Sequence, residues 1–287
     1  MIKVTLTNEM LKRISAIDEK RFSLGTIELP QITQNRLRKN SKKKSSYASN
    51  KIEGNPLTEA QANEVMERDE HKHFLKPEQE VRNYFLALNL LEEKLKKKEP
   101  FSQKLLLEVQ ALVEKGASKE KIGLRGATPP GVLFAVYDSV TGRPEYIPPE
   151  YIDIPGLLDE LVDYVNTTDD HPLIVAAVVH YQLVTIHPFE DGNGRTARLM
   201  SGYILDSNGY GFNGIGSWKN TLPMTPMSIM PRCRWGFRLC ITREEKTLRI
   251  RRFGCIISCG WWSCTPTRYA SCQEHQQMIC WSAACPT

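Results

Sequence analysis

Apolar residues recur at intervals of three and four positions through much of the chain ahead of residue 210. Such stripes occupy residues 81–95, 105–113 and 154–165. Thr58 and Gln61 have the spacing of a capping box, which marks the start of a helix. The pattern therefore predicts a succession of amphipathic helices.

Two segments depart from this spacing. Residues 173–179 form a continuous apolar run with β-branched side chains, which fits a buried strand as well as a buried helix. The run continues to residue 186, and about fourteen residues is long for a strand. Residues 132–137 favour β structure, Thr141 and Gly142 form a turn signal, and residues 145–147 follow as a returning strand. The second segment therefore predicts a short exposed β-hairpin.

The stretch HPFEDGNGRTAR, residues 187–198, leads from the apolar run into a helix-like segment at residues 196–206. Pro188 disfavours the α conformation at His187, so the incoming helix is expected to end there. Gly192 and Gly194 can adopt positive φ and turn successive backbone N–H groups toward one point. The following helix adds unpaired N–H groups and the positive end of its dipole. This loop therefore predicts a phosphate-binding nest.

Four side chains of this stretch carry the candidate chemistry. Arg195 and Arg198 lie three positions apart and share a helix face, which suits a polyphosphate. Asp191 offers carboxylate oxygens at the mouth of the nest for the Mg²⁺ of a nucleotide. His187 titrates near neutral pH and is therefore the candidate general base. The alternative is an arginine-rich helix start with a capping Asp, which leaves the spacing from His187 to Arg198 unexplained.

These residues resemble the signature of the Fic family, H-P-F-x-D-G-N-G-R-x-x-R, with every fixed position present. The resemblance implies an all-α, Fic-type helical core in which residues 173–186 form a central buried helix. It also implies a short β-hairpin flap that holds a target segment by strand addition. The implied activity is transfer of AMP from ATP, with Mg²⁺, to a hydroxyl side chain of a protein. The implied ATP phosphate-binding residues are Gly192, Asn193, Gly194, Arg195 and Arg198, with His187 as the catalytic residue and Asp191 as the metal ligand.

A second motif lies upstream, in residues 45–55, SSYASNKIEGN. Ser49 and Glu53 are four positions apart, so a helix would place them on one face, and Gly54 is a C-cap candidate. The pattern resembles the Fic inhibitory motif, Ser/Thr-x-x-x-Glu-Gly/Asn. The resemblance implies that Glu53 pairs with Arg198 and blocks the γ-phosphate site, as in the class with an N-terminal inhibitory helix. The alternative is an ordinary solvated helix.

Composition narrows the class of protein. Apolar and charged fractions of 41% and 25% are ordinary for a soluble globular protein, and no run approaches the ~20 apolar residues of a membrane span. Residues 1–20 lack the apolar region of a signal peptide, so a cytoplasmic location without a membrane partner is expected. The net charge is +5, but the basic run at residues 36–44 has no interleaved aromatic residues, so nucleic acid is not an expected partner.

The chain divides into three parts. Residues 1–76 form an N-terminal helical segment that carries the inhibitory motif, and residues 77–210 form the Fic catalytic core. Residues 211–287 form an irregular tail without a sustained helical period. All 8 cysteines lie from Cys233 onward, and all 5 tryptophans from Trp218 onward. The tail therefore differs in character from the rest of the chain.

An out-of-frame reading is the preferred interpretation of the tail, because composition and amphipathicity change together. A disulfide scaffold conflicts with a cytoplasmic location. A zinc module is the remaining alternative, although the cysteine spacings do not repeat a paired form. Its candidate ligands are Cys255, Cys259, Cys264 and Cys272.

Two function classes follow from these residues. The first is a protein adenylyltransferase (AMPylator) autoinhibited by Glu53. The same class includes the reverse reaction, in which Glu53 orients a water that removes AMP from a modified protein. The target protein and its modified residue, a transferred group other than AMP, and a homodimer stay open. The second class is an inactive Fic-like binding module, and the intact His187 argues against it.

Overall fold

The computed structural model describes residues 2, 4–25, 28–68, 73–117, 122–132, 134–137, 142, 144–211 and 255–256. These residues form eight α-helices, two strand pairs and a 3₁₀ turn at Tyr151–Asp153. The helices are α1 (Asn8–Gly25), α2 (Gln31–Ile52), α3 (Glu59–Glu67), α4 (Lys76–Lys96), α5 (Gln103–Glu114), α6 (Ile154–Thr167), α7 (Pro172–Ile186) and α8 (Asn193–Ser207). The strands are β1 (Val4–Thr5), β2 (Val136–Tyr137), β3 (Pro144–Tyr146) and β4 (Cys255–Ile256). The all-α class with a short hairpin is therefore confirmed.

Helix α7 lies in the middle of the core and packs along α8. Pro172 stands in its first turn, and Nδ1 of His171 accepts a hydrogen bond from the Leu173 N–H at 3.3 Å. Its buried side chains include neighbouring positions that face different sides of the helix: Ile174, Val175, Ala176, Val178, Val179, Leu183 and Ile186. Burial on several sides explains why this run lacks a helical period in the sequence.

Helices α4, α5 and α6 surround the α7–α8 pair, and their apolar stripes complete the core. Helix α5 begins at Ser102, whose hydroxyl accepts the Leu105 N–H at 3.2 Å. Its last residue, Glu114, is fully buried. The end of α5 therefore places a carboxylate inside the protein, close to the motif loop described below.

Helix α2 carries the second motif and packs against α3 and α4. The predicted capping box is present at the start of α3, where Thr58 Oγ1 accepts the Gln61 N–H at 3.3 Å and Gln61 Oε1 accepts the Thr58 N–H at 2.9 Å. Ala62, Met66 and Val81 form a smaller apolar cluster between α3 and α4. This layer brings the C-terminal end of α2 to the first turns of α8.

The predicted hairpin is present, with β2 and β3 antiparallel and Val136 opposite Tyr146. Its strands are shorter than the β-prone segments in the sequence, and the register is irregular between Val136 and Tyr137. The Tyr146 hydroxyl donates to the Thr185 carbonyl at 2.8 Å, and burial raises the pKa of this phenol. The hairpin is thereby attached beside the C-terminal end of α7.

Strand β1 pairs in parallel with β4. Of the candidate zinc ligands in the tail, only Cys255 is among the described residues, in β4. The other candidates and the out-of-frame interpretation lie outside the described residues. No helix in the described part of the chain is long and apolar enough to cross a lipid bilayer.

Candidate active site

The motif loop begins where α7 ends, at His187. This residue is left-handed, with φ 49° and ψ 58°, and its N–H bonds to the Leu183 carbonyl at 3.0 Å. The helix therefore ends at the position predicted from Pro188. The imidazole Nδ1 lies 3.3 Å from the carbonyl oxygen of Val184. Because a carbonyl only accepts, this contact assigns the proton to Nδ1 and leaves the lone pair on Nε2.

The surroundings of His187 favour its neutral form. Burial lowers the pKa of the imidazole below its ordinary value, and the charge of Arg125 acts in the same direction. The Val184 carbonyl and the carboxylates of Glu53 and Asp191 oppose this effect, but burial is the largest influence. A lowered pKa keeps the imidazole unprotonated at neutral pH, as a general base requires.

Asn193 braces the loop between His187 and α8. Its Oδ1 accepts the Phe189 N–H at 3.0 Å, and its Nδ2 donates to the Phe189 carbonyl at 2.8 Å. The Phe189 ring is 1% exposed and fixes the loop in the core. These bonds begin α8 at Asn193, ahead of the predicted start at residue 196. The Asn193 side chain, predicted to bind phosphate, thus closes the loop in this structure.

The two glycines of the motif have different surroundings. Gly192 has φ 78°, and a Cβ there would lie 2.4 Å from Glu114 Oε1. Gly194 lies in the first turn of α8 and is not left-handed, which differs from the expected positive φ. A Cβ on Gly194 would lie 2.4 Å from Glu53 Oε1 and 3.2 Å from Arg198 Nη1. Glycine is therefore favoured at position 192 by the left-handed backbone and by the lack of room for a Cβ. At position 194 it is favoured only by the lack of room for a Cβ.

Asp191 stands at the mouth of the loop. Its Oδ1 accepts the Gly192 N–H at 2.7 Å and lies 3.5 Å from Arg195 Nη2. The carboxylate side chain is 37% exposed, so solvent reaches it. Among the described residues no three His, Cys, Asp or Glu side chains form a metal-binding cluster. A single accessible carboxylate fits a magnesium ion that takes its other ligands from phosphates and water.

Arg195 is buried between carboxylates. Its Nη2 lies 2.9 Å from Glu114 Oε1, and its Nη1 lies 4.0 Å from Glu80 Oε1. The side chains of Arg195 and Glu114 are 5% and 1% exposed. Within the described residues, Nε and Nη1 of Arg195 have no hydrogen-bond acceptor. These nitrogens are donors that an oxyanion would satisfy.

Arg198 contacts the end of α2. Its Nε donates to the Ser49 hydroxyl at 2.7 Å, and its Nη2 donates to the Ser49 carbonyl at 3.2 Å and to Glu53 Oε1 at 2.5 Å. The arginine side chain is 9% exposed and the glutamate side chain 32%. Gly54, with φ 84°, ends the helix directly after Glu53. The predicted contact between Glu53 and Arg198 is therefore present.

Comparison with known proteins gives the family. The model of the Fic/DOC family matches residues 100–205, which include the hairpin, α7 and the complete motif loop. Residues 100–205 form a domain of the Fic/DOC family. The match ends inside α8, two residues before that helix does, at residue 207.

Solved and curated relatives agree with this assignment. Protein adenylyltransferase Fic of Drosophila mojavensis is 32% identical over 69% of this chain and 38% of its own length, and that of Drosophila melanogaster is 30% identical over 69% and 39%. A Fic family protein of Desulfovibrio desulfuricans superposes with a TM-score of 0.63 at 26% identity over 77% of this chain and 64% of that one. Fic-1 of C. elegans gives 0.55 at 27% identity over 70% and 61%. The chain spans about two fifths of the length of the curated relatives.

Sequence reasoning missed two residues of the Fic site. Glu114 directly follows the apolar stripe at residues 105–113 and was not singled out, and its partner Arg195 lies on another helix. Arg125 was not singled out, and it donates to the carbonyls of Pro149 and His187, which lie 24 and 62 positions along the chain. No local pattern reveals such distant partners. The signal that was available for Arg125 is a charged residue with apolar Leu124 before it and no acidic residue within a helical turn.

Proposed function

We propose that this protein is a protein adenylyltransferase that moves AMP from ATP to a hydroxyl side chain of a target protein. The observation that carries the proposal is the position of the His187 imidazole, with Nδ1 against the Val184 carbonyl and Nε2 available, next to the N-terminus of α8 and its two arginines. The names of the curated relatives support the same activity. Those relatives are longer proteins, so the activity is assigned here from the site.

In this mechanism Nε2 of His187 accepts the proton of the target hydroxyl. The hydroxyl oxygen bonds to the α-phosphorus of ATP, the bond from that phosphorus to the bridging oxygen breaks, and pyrophosphate leaves. The free N–H groups at the start of α8, together with Arg195 and Arg198, stabilise the negative charge on the phosphates. The chain thus contributes positioning, a base and electrostatic stabilisation.

Asp191 is the residue that would hold Mg²⁺. Its exposed carboxylate suits a magnesium ion shared with the nucleotide phosphates, and its bond to the Gly192 N–H orients it at the nest. When bound, the ion supplies charge neutralisation on the leaving pyrophosphate. Arg195 Nη2 lies 3.5 Å from Oδ1 of Asp191, so the guanidinium would also be close to the leaving pyrophosphate.

We further propose that the end of α2 is autoinhibitory. Ser49 and Glu53 occupy three hydrogen-bonding directions of the Arg198 guanidinium. A γ-phosphate that needs those donors has to compete with both residues. The partial exposure of Glu53 makes this contact one that can open.

The target segment is proposed to pair with the hairpin. A strand added to a two-stranded hairpin is held by main-chain hydrogen bonds, which position a hydroxyl without reading much sequence. The hairpin is attached beside α7 through Tyr146, so an added strand would lie near His187. A cytoplasmic location and a homodimer stay predictions, to be tested by fractionation and by light scattering.

ATP labelled on the α-phosphate is the decisive reagent. The purified chain, alone and with cell extract, should transfer this label to protein, whereas ATP labelled on the γ-phosphate should transfer none. Transfer from the γ-label would mean phosphoryl transfer and would overturn the proposal. Loss of label from a previously modified protein, dependent on Glu53, would identify the reverse reaction. No transfer by the Glu53→Gly protein would favour a binding module.

A further inference from the structure

Arg125 is a buried arginine that donates hydrogen bonds to the start of the motif loop and to the segment after the hairpin. Its Nε donates to the His187 carbonyl at 2.8 Å, its backbone N–H donates to the Pro188 carbonyl at 2.9 Å, and its Nη2 donates to the Pro149 carbonyl. The residue is 6% exposed, and burial lowers the pKa of its guanidinium. Burying a charged group costs desolvation free energy, and the two acceptors of the guanidinium among the described residues are neutral carbonyls.

Phe134 adds an aromatic contact between Arg125 and His187. The Arg125 guanidinium lies 4.4 Å from the centroid of the Phe134 ring. The same ring lies 6.1 Å from the His187 imidazole, at an interplanar angle of 58°. Phe134 comes just before β2, so it links the hairpin to both residues.

The backbone of His187 needs this support. A non-glycine residue in the left-handed region is strained and persists only where its surroundings fix it. The carbonyl of the left-handed residue and the carbonyl that follows it both receive a hydrogen bond from Arg125. The third bond, to Pro149, attaches the same guanidinium to the segment that leaves the hairpin.

We propose that Arg125, together with Phe134, is a positioning residue that holds the left-handed turn at His187 and the hairpin in one fixed arrangement, so that Nε2 faces the hydroxyl of a hairpin-bound target. This inference rests on the proposed adenylyl transfer. Arg125 acts through His187 and the hairpin carbonyls and has no part in phosphate binding. It is therefore distinct from the two motif arginines.

The guanidinium also affects the protonation of the base. The charged groups that act on His187 are Arg125, Glu53 and Asp191, and its Nδ1 lies against the Val184 carbonyl. Arg125 alone among the three charges lowers the pKa of His187, in the same direction as burial. Loss of this charge should raise the pKa of His187 and move the rise of transfer activity to higher pH.

Arg82 provides a matched control for a purely structural role. It is also a buried arginine, 7% exposed, that donates to a backbone carbonyl, that of Arg68 at 2.6 Å. It also lies over a phenyl ring, with its guanidinium 4.8 Å from the Phe74 centroid. Its environment resembles that of Arg125, but its contacts lie between α3 and α4, away from His187.

The test compares Arg125→Gln, Arg125→Lys, Phe134→Leu and Arg82→Gln in the full chain. Transfer of α-labelled AMP gives kcat and the KM for ATP, and NMR titration of labelled histidine gives the His187 pKa, assigned from the His187→Ala spectrum. Arg125→Gln should lower kcat about tenfold to a hundredfold with the KM for ATP unchanged, because misplacement of the base leaves the phosphate contacts intact. It should also raise the His187 pKa.

The other variants separate the effects. Arg125→Lys should retain the low His187 pKa but not kcat, since an ammonium lacks the planar fork. Phe134→Leu should lower kcat, and Arg82→Gln should lower thermal stability alone. Parental kcat and parental His187 titration in Arg125→Gln, or the same changes in Arg82→Gln, would overturn the inference. If Arg125→Gln does not fold, the Lys and Leu variants decide. If the parent transfers nothing, adenylyl transfer fails, while the titrations still test the positioning.

Discussion

Replacing Glu53 by glycine removes the charged partner of Arg198 and leaves the rest of α2 in place. Glu53 lies at the C-cap of α2 with φ −83° and ψ 9°, a conformation that glycine adopts without strain. Both Ser49 contacts to Arg198 remain, since they come from the preceding turn. The variant therefore isolates the contribution of one carboxylate to the contact that holds Arg198 against the end of α2.

The size of the effect follows from this geometry. A hydrogen bond to a charged group contributes about 1.5–3 kcal/mol, and solvent screening of the partly exposed Glu53 reduces this to about 1–2 kcal/mol. That difference corresponds to about a fivefold to thirtyfold rise in the population of released Arg198. We expect adenylyl transfer by Glu53→Gly to rise by the same factor. Glu53→Gln should give a smaller rise, because an amide oxygen still accepts from the guanidinium.

Auto-modification with α-labelled ATP and Mg²⁺ measures the change. Glu67→Gln is the matched control: it removes a carboxylate that pairs with Lys43 of α2 at 2.6 Å but does not touch Arg198. That variant should retain the parental rate. Arg198→Ala should stay low, since it removes both the inhibitory contact and a phosphate ligand, and the double variant should resemble it. Equal labelling by the parent and Glu53→Gly, at matched thermal stability, would refute the inhibitory role.

Three further outcomes are expected. His187→Ala should lower transfer about 10²–10⁴-fold with ATP affinity retained in calorimetry, and near-normal turnover would exclude the base. Asp191→Ala should remove the Mg²⁺ dependence of ATP affinity; a retained dependence would place the ion elsewhere. Asp18 has a pKa lowered from 3.8, chiefly by the Tyr210 hydroxyl, so it stabilises the fold above that pH and less as pH falls through the lowered pKa. Asp18→Asn should therefore reduce the acid dependence of the melting temperature, and an unchanged profile would contradict this.

Features specified by neighbouring residues could be predicted from the sequence. The capping box of Thr58 and Gln61 and the end of α7 before Pro188 depend on local geometry, and both were correct. The Ser49–Glu53 spacing also placed two partners of Arg198 on one helix face. The contact of this pair with Arg198 was expected only from the family resemblance, because no periodicity connects positions that far apart in the chain.

Features that depend on distant partners could not be predicted in this way. The helix-like segment was expected to begin at residue 196, whereas α8 begins at Asn193, whose side chain bonds back to Phe189. Arg195 was placed on the phosphate face by its helical spacing from Arg198. The structure pairs it with Glu114, which follows the apolar stripe at residues 105–113 and carries no local sign of this partner.

The two motif arginines differ in how readily their carboxylate partners can be displaced. Glu53 is 32% exposed at a helix end, so water can solvate its carboxylate when the contact with Arg198 opens. Glu114 is 1% exposed under Gly192, so separating it from Arg195 would break a buried ion pair, at a cost of about 3–5 kcal/mol. In the proposed mechanism a phosphate can therefore compete with Glu53 for Arg198, whereas it would bind Arg195 with Glu114 still in place. Among the described residues Nε and Nη1 of Arg195 have no acceptor, so these two nitrogens are the donors that would remain for the phosphate. In the proposed mechanism Arg198 is thus the contact that Glu53 regulates, whereas Arg195 keeps its buried position beside Glu114.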